Sequence, residues 1–270
     1  AGRGGYALMA AGIVLCGGLA VLCKETGALL PVYVLAIEAT LLRDLPWPRH
    51  GRLFMAAVLL LPLGAGMGYL LWHFDAWVAG HAFRDFSMPE RLLTQARVMV
   101  TYLGMIVFPR GSGLGVFHDD FPLSRDWLNP PETALAIALL AGLVLVAVAA
   151  RRRVPELTFA VVWFFGGHLA ESTIIPLEIY FEHRNYLPMA GVLYAVALAM
   201  SRLWHLFPKA LFRRMLVGAA FVWLALLAVL THAESRLWGN PTEQAIVWAR
   251  EHPRSARAQA PGSRRFRIAP

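Results

Sequence analysis

The residues best suited to chemistry lie in one polar segment, 171–188, between two apolar stretches. It holds three carboxylates, a histidine and an arginine, namely Glu171, Glu178, Glu182, His183 and Arg184. An arginine binds phosphate or carboxylate through two parallel hydrogen bonds, and a histidine adds a titratable donor. These types suit the binding of an anionic headgroup at a membrane surface, and a short solvated turn explains them equally well. Their spacing does not match a metal-ligand set.

Two further polar groups interrupt the apolar sequence. Lys24 and Glu25 separate two apolar blocks with almost no loop between them, which is typical of a tight turn whose charges reach the membrane interface. His118, Asp119 and Asp120 form the second group, inside a long polar region. Adjacent carboxylates beside a histidine suit a divalent cation or acid–base work, and a flexible polar loop is the other interpretation. A divalent cation is therefore a possible cofactor here, with no other cofactor indicated.

The composition decides which elements must position these residues. Of the 270 residues, 58% are hydrophobic and only 16% are charged, whereas soluble domains carry about 25% charged residues. The apolar residues form blocks long enough to cross a bilayer, which takes roughly 20 residues. The net charge of +8 would suit nucleic acid, but the basic residues cluster at the ends of apolar blocks. Membrane topology explains that placement better, so no nucleic-acid partner is predicted.

The apolar blocks predict an all-α, polytopic transmembrane helix bundle of about seven spans. The blocks cover residues 6–22, 28–42, 53–72, 134–150, 157–170, 187–207 and 215–230. Basic groups fall at alternate connections, and the positive-inside rule makes those connections cytoplasmic. If a further piece, 92–108, crossed the membrane, the basic residues that follow it would no longer lie on the cytoplasmic side. We therefore predict a re-entrant or interfacial helix there, in a long outer loop, with Arg91 and Arg97 near the surface.

The chain divides into a transmembrane part, 1–232, and an extracytoplasmic tail, 233–270. The tail predicts an amphipathic helix that begins near Asn240, which can cap it, and Pro241, which suits a first turn. The two cysteines, Cys16 and Cys23, lie two helical turns apart in the first apolar block. We interpret them as buried free thiols, because no disulfide or metal framework is available.

Four motifs carry a resemblance to a known family. They are Cys-Lys-Glu-Thr-Gly at 23–27, His-Asp-Asp at 118–120, Glu-Ser-Thr-Ile-Ile-Pro-Leu-Glu at 171–178 and Phe-Glu-His-Arg-Asn-Tyr-Leu-Pro at 181–188. In these the chain resembles bacterial multi-span membrane proteins followed by tetratricopeptide repeats. That family is similar to the transmembrane-and-tetratricopeptide O-mannosyltransferases and to GT-C-type glycosyltransferases. The tail resembles the start of a first repeat.

The resemblance implies an enzyme of the bacterial inner membrane that moves a sugar from a polyprenyl-phosphate donor to a hydroxyl of a protein or glycan. Transfer would occur on the non-cytoplasmic face, where the C-terminus would also lie. It implies that Arg184, aided by His183, contacts the donor phosphate and that Glu182 orients both. Lys24 would add a second positive charge, with Glu25 as its partner. The general base is expected on an outer loop upstream of Ala1, in a part that this sequence does not include.

Two other function classes stay open. A transporter or flippase of lipid-linked sugars would also need basic residues at an outer headgroup site. Polar residues along the spans and internal repeats are then expected, and the nearly uncharged span interiors disfavour this class. A non-catalytic membrane anchor that presents a tetratricopeptide scaffold to protein partners is the third class. Such an anchor would not need the segment 181–184, in which Glu, His and Arg are concentrated.

Overall fold

The regular secondary structure in the described part of the chain is all helical, and that part contains no β-strand. The computed structural model describes residues 3–45, 49–111 and 115–260. Its α-helices are α1 Arg3–Cys23, α2 Leu30–Thr40, α3 Arg49–Trp72, α4 Phe74–Gly80, α5 Met88–Val107, α6 Glu132–Ala150, α7 Pro155–His168, α8 Met189–Leu206, α9 Ala210–Trp238 and α10 Pro241–Glu251. Of the 3₁₀ turns, Glu25–Leu29 lies directly before α2 and Glu182–Asn185 lies shortly before α8.

Five helices within the described residues are long and apolar enough to cross a membrane. Their apolar stretches are Gly4–Cys23, Leu53–Trp72, Glu132–Ala150, Met189–Leu206 and Ala210–Trp238. The other two predicted spans form the shorter helices α2, with 11 residues, and α7, with 14. A straight helical crossing takes roughly 20 residues. The prediction of a multi-span helical protein is therefore confirmed in its coarse form, with five candidate crossings.

The candidate spans expose large apolar side chains on their outer surfaces. Examples are Leu8, Leu22, Trp72, Leu135, Leu206 and Phe221. A surface of this kind is unfavourable in water and favourable in contact with lipid. Cys16 and Cys23 lie on the same kind of surface and are free and exposed. The prediction that these thiols are buried is wrong, because α1 packs along only part of its circumference.

Helix α5 is amphipathic and lies against α6, α7 and the segment 171–181. Its buried residues Val98, Tyr102 and Ile106 form a core with Phe164 of α7 and with Ile179 and Tyr180. The prediction that Arg91 lies near the surface is wrong, since Arg91 is 0% exposed. Arg97, one turn and a half further on, donates to the carbonyl of Pro122 at 2.8 Å.

The chain turns back after α5. The indole of Trp223, midway along α9, donates to the carbonyl of Val107 at 2.9 Å. Gly115 then lies against Trp248 of α10, beyond the end of α9. The chain therefore returns along α9 toward the end of the bundle at which α5 begins. The re-entrant or interfacial placement of α5 in a membrane stays a prediction.

The polar connections gather at two ends of the bundle. At one end, Arg43 follows α2 and donates hydrogen bonds to the carbonyls of Arg151 and Arg152, which follow α6. At the other end, Lys24 follows α1 and forms an ion pair with Glu171, which follows α7. The connection after α2 and the connection after α6, which both carry basic groups, thus lie at the same end of the bundle, as their alternation along the sequence predicts.

Helix α9 continues to Trp238, so the predicted domain boundary at 232/233 falls inside a continuous helix. The tail helix begins as predicted, because the Asn240 side chain accepts a hydrogen bond from the amide of Glu243. Trp248 of this helix is buried against Trp238 and Phe117. One helix and its flanks do not define a tetratricopeptide repeat, and the repeat stays a prediction.

The start of α5 gives a prediction about acid stability. Glu90 accepts hydrogen bonds from the amide and hydroxyl of Ser87 at 2.8 and 2.9 Å and contacts Arg125. These contacts, led by the Ser87 amide, lower the pKa of Glu90 to about 2. A carboxylate with a depressed pKa stabilises the folded state above its ordinary pKa and loses that contribution as the pH falls toward its folded value.

We therefore expect the first turn of α5 to open between about pH 4.5 and pH 2. The protection of the amides of Ser87, Met88, Glu90 and Arg91, measured against the intrinsic exchange rate at each pH, should fall as the pH is lowered across that range in the wild type. In Glu90→Gln, protection should already be lower at neutral pH and should change little on acidification. Wild-type protection that stays unchanged down to pH 2 would contradict the assignment of this contact.

Candidate functional site

Three side chains from two connections meet at one end of the bundle: Lys24 follows α1, and Glu171 and Arg184 lie between α7 and α8. The Lys24 Nζ atom lies 3.1 Å from Glu171 Oε1, and the Arg184 Nε atom lies 3.0 Å from Glu171 Oε2. The Glu171 side chain is only 4% exposed, the Arg184 side chain 8%, and the Lys24 side chain 44%. One buried carboxylate therefore holds two cations, and Lys24 is the cation that solvent reaches most easily.

Arg184 is held by more than its ion pair. Its Nη1 atom donates to the carbonyl of Glu178 at 2.6 Å, and its guanidinium lies 5.2 Å from the centre of the Phe181 ring. The 3₁₀ turn Glu182–Asn185 places Arg184 there, directly before α8. A guanidinium fixed on three sides is pre-organised, so binding of an anion there would cost little side-chain entropy.

Arg91 shapes the segment that carries these groups. Its guanidinium donates to the carbonyls of Glu171 at 2.6 Å, Thr173 at 2.9 Å and Glu178 at 3.3 Å, and also to that of Leu177. Burial, together with the positive charges of Arg184 and Arg84, lowers the pKa of Arg91 to about 10. Arg91 is therefore still charged at neutral pH and ties one polar segment into a single conformation.

Glu182 has a partner that the sequence did not indicate. Its Oε1 atom lies 2.5 Å from His118 Nε2, and this nitrogen is also 2.9 Å from the carbonyl of Gly115. The prediction that Glu182 orients Arg184 and His183 is therefore wrong, as Glu182 bridges to the long loop. The pairing of Lys24 with Glu25 is wrong as well, because Lys24 turns to Glu171 and leaves Glu25 exposed.

Asp119 and Asp120 contact the tail. The hydroxyl of Ser255 donates to Asp119 at 2.5 Å, and His252 Nδ1 lies 2.9 Å from Asp120. Within the described residues, no group of three or more His, Cys, Asp or Glu side chains is arranged to hold a metal. The possible role of His118, Asp119 and Asp120 in binding a cation or an acceptor stays a prediction. Part of the preceding glycine run, residues 112–114, lies outside the described residues.

His183 lies at the surface beside these cations. Partial burial and the positive charge of Lys24 lower the pKa of His183 below its usual value. A lowered pKa keeps the imidazole neutral at pH 7, so His183 is available as a neutral hydrogen-bonding group. An anion bound near Lys24 and Arg184 would reverse the effect of those charges and favour the imidazolium.

Three residues of the site receive no individual role from the sequence. Glu171 is counted there only among the carboxylates of the segment 171–188, although a carboxylate at the end of an apolar block is itself a signal. Arg91 was noticed only as a surface charge. His168 is buried and stacks on Tyr102 with ring centres 5.4 Å apart. Nothing in the sequence separates His168 from an ordinary core histidine.

Comparison of the chain with protein-family models, with curated proteins and with solved structures found no match. The resemblance to GT-C-type glycosyltransferases therefore depends on the sequence motifs alone.

Proposed function

We propose that this chain belongs to an integral membrane glycosyltransferase that moves a sugar from a polyprenyl-phosphate donor to a hydroxyl acceptor. The observation that carries the proposal is the convergence of Lys24 and Arg184 on the buried Glu171 at one end of an apolar bundle. An anionic lipid headgroup bound by these two cations would lie at that end of the bundle. Its lipid chain would lie beside the exposed apolar helices. Two cations there leave a positive charge after the carboxylate is balanced.

The reaction places the largest new charge on the donor phosphate. The bond between the sugar's anomeric carbon and the phosphate oxygen breaks, and the phosphate keeps the electron pair. The acceptor oxygen bonds to the anomeric carbon, and its proton leaves to a carboxylate general base, as the resemblance implies. In our proposal Lys24 and Arg184 stabilise the phosphate leaving group, and His183 donates a hydrogen bond to it.

The resemblance also supplies the setting of the proposal. We place the site on the non-cytoplasmic face of a bacterial inner membrane, with the C-terminus on the same side and about seven crossings in total. The acceptor is a protein or glycan hydroxyl, and tetratricopeptide repeats after the tail would recruit protein partners. The loop with His118, Asp119 and Asp120 borders the same site through Glu182, where it would contact the acceptor or a divalent cation.

Donor binding can be tested separately from transfer. We expect a photoreactive polyprenyl phosphate to label the full-length protein in membranes, with labelling reduced about tenfold in Lys24→Ala, since a charge-assisted contact contributes about 1.5–3 kcal/mol. Arg254→Ala removes an exposed cation from the tail and serves as the matched control, with labelling within twofold of wild type. Equal labelling of all three proteins would contradict the placement of the phosphate.

A second candidate, a non-catalytic anchor, is favoured by one observation. The tail contacts the same segments as the site, through Arg257 with Glu178 at 2.7 Å and through His252 with Asp120. In an anchor these contacts would fix the tail to the bundle, and the ion pairs around Glu171 would only stabilise the fold. An anchor would bind no donor, so the labelling experiment separates the two candidates.

A further inference from the structure

A cavity of about 560 Å³ lies between α2 and α7, at the end of the bundle opposite the Glu171 site. Its walls are apolar and include Val32, Leu35, Ala36 and Val162. Specific small-molecule sites have volumes of about 300–1,000 Å³ and mostly apolar walls with a few polar groups. The cavity therefore has the size and lining of a binding site, although it takes no part in the proposed transfer reaction.

The packing of α2 on α7 explains where the cavity opens. Near the Glu171 end the helices are in close contact, because Gly166 leaves room for Val32 and the rings of Tyr33 and Trp163 lie 4.3 Å apart. Further along, the facing side chains are small, as Ala36 and Ala39 on α2 show. The space between the helices is therefore left unfilled toward their other ends.

Three arginines border this cavity, and one of them is already engaged. Arg43 donates to the carbonyls of Arg151 and Arg152 and pairs with Asp44 at 3.3 Å. The carbonyls at the C-terminus of a helix are free acceptors, so Arg43 stabilises the end of α6. Arg151 and Arg152 are exposed, and the ion pairs found in the described residues do not include them. Their positive charges remain available to an anion.

We infer that this cavity binds an anionic phospholipid, with an acyl chain between α2 and α7 and the phosphate at Arg151 and Arg152. The apolar walls suit the chain, and the two guanidinium groups complement the headgroup. Basic pockets between membrane helices on the cytoplasmic side bind anionic lipids for the same reason. The acyl chain would fill the space between the short helices α2 and α7, so that the two helices and the lipid together present a continuous apolar surface. This inference does not depend on the proposed transferase function.

The adjacent arginine offers a matched control. Arg153 is exposed and carries the same charge, but it does not line the cavity. Native mass spectrometry of the full chain in detergent, titrated with phosphatidylglycerol or phosphatidylcholine, would measure lipid retention. We expect preferential retention of phosphatidylglycerol, reduced about fivefold by Arg151→Ala or by Arg152→Ala and by less than twofold in Arg153→Ala.

A second variant tests the apolar part. Ala39→Trp would fill the space between the helices, and we expect it to lose phosphatidylglycerol although all arginines remain. Equal retention of the two lipids by the wild type would overturn the inference. So would an equal loss in Arg153→Ala and Arg152→Ala, which would indicate a general surface-charge effect, or undiminished retention in Ala39→Trp.

Discussion

Replacing Arg91 by alanine should destabilise the protein more than any other single change at this end of the bundle. Arg91 is fully buried and donates to four carbonyls between Glu171 and Glu178. Without it, several buried acceptors lose their donor, and each such loss costs about 1–3 kcal/mol. We expect a loss of at least about 3 kcal/mol in the free energy of unfolding, seen as a thermal midpoint in detergent that is lower by about 6–12 °C.

The control for Arg91→Ala lies on the same helix. Arg97 makes one described hydrogen bond, to the carbonyl of Pro122, and lies nearer the surface. Arg97→Ala should lower the thermal midpoint by no more than about 3 °C, as expected for about 1 kcal/mol. Equal midpoints for the two variants would mean that Arg91 does not hold the segment 171–178 in place. Arg91→Lys should recover only part of the loss, because an ammonium group cannot reach four acceptors at once.

Replacing Glu171 by glutamine should have the second large effect, chiefly on the proposed sugar transfer. The carboxylate positions both Lys24 and Arg184, and glutamine keeps its size but removes its charge. The two cations would then repel each other without the intervening carboxylate, and Lys24, the more exposed of the two, would turn to solvent. We expect kcat to fall at least about a hundredfold, the scale found when one preorganised electrostatic group is removed.

Glu25→Gln is the matched control for that change. Glu25 adjoins Lys24 in the sequence, but it is exposed and the ion pair of Lys24 is with Glu171. We expect Glu25→Gln to retain transfer within about twofold. Glu171 acts through the two cations, so its loss should also shift the pH profile of transfer, since the pKa of His183 responds to the charge of Lys24. Full activity with an unshifted profile in Glu171→Gln would contradict this role.

The sequence predicts the helical membrane fold well, because long apolar blocks leave few alternatives. The cap at Asn240 follows from a local sequence pattern. The proximity of Lys24 to the segment after α7 follows from the topology of the helices. The length of α2 does not follow from the sequence, since the apolar block 28–42 includes the end of the turn Glu25–Leu29 and the residues after Thr40; α7 has the length of its block, 157–170, but begins two residues earlier.

The partners inside the site were harder to predict. Sequence proximity suggested Glu25 for Lys24 and Glu182 for Arg184, but in both cases the partner is Glu171. A salt bridge between residues far apart in the chain depends on how α1, α7 and α8 pack, and side-chain types do not reveal that packing. Arg91 illustrates the same limit, because a lone arginine at the start of an amphipathic helix is usually solvated and here lies in the core.

Transfer of a radiolabelled sugar from a polyprenyl-phosphate donor is to be measured in membranes that contain the full-length protein. At equal expression, Arg184→Ala should lose at least about a hundredfold in transfer. Glu182→Gln should also lose transfer if the contact with His118 keeps the 3₁₀ turn in place, and Arg254→Ala should behave as wild type. Transfer at the wild-type rate in Arg184→Ala, or no transfer by the wild type from any polyprenyl-linked donor, would contradict the account.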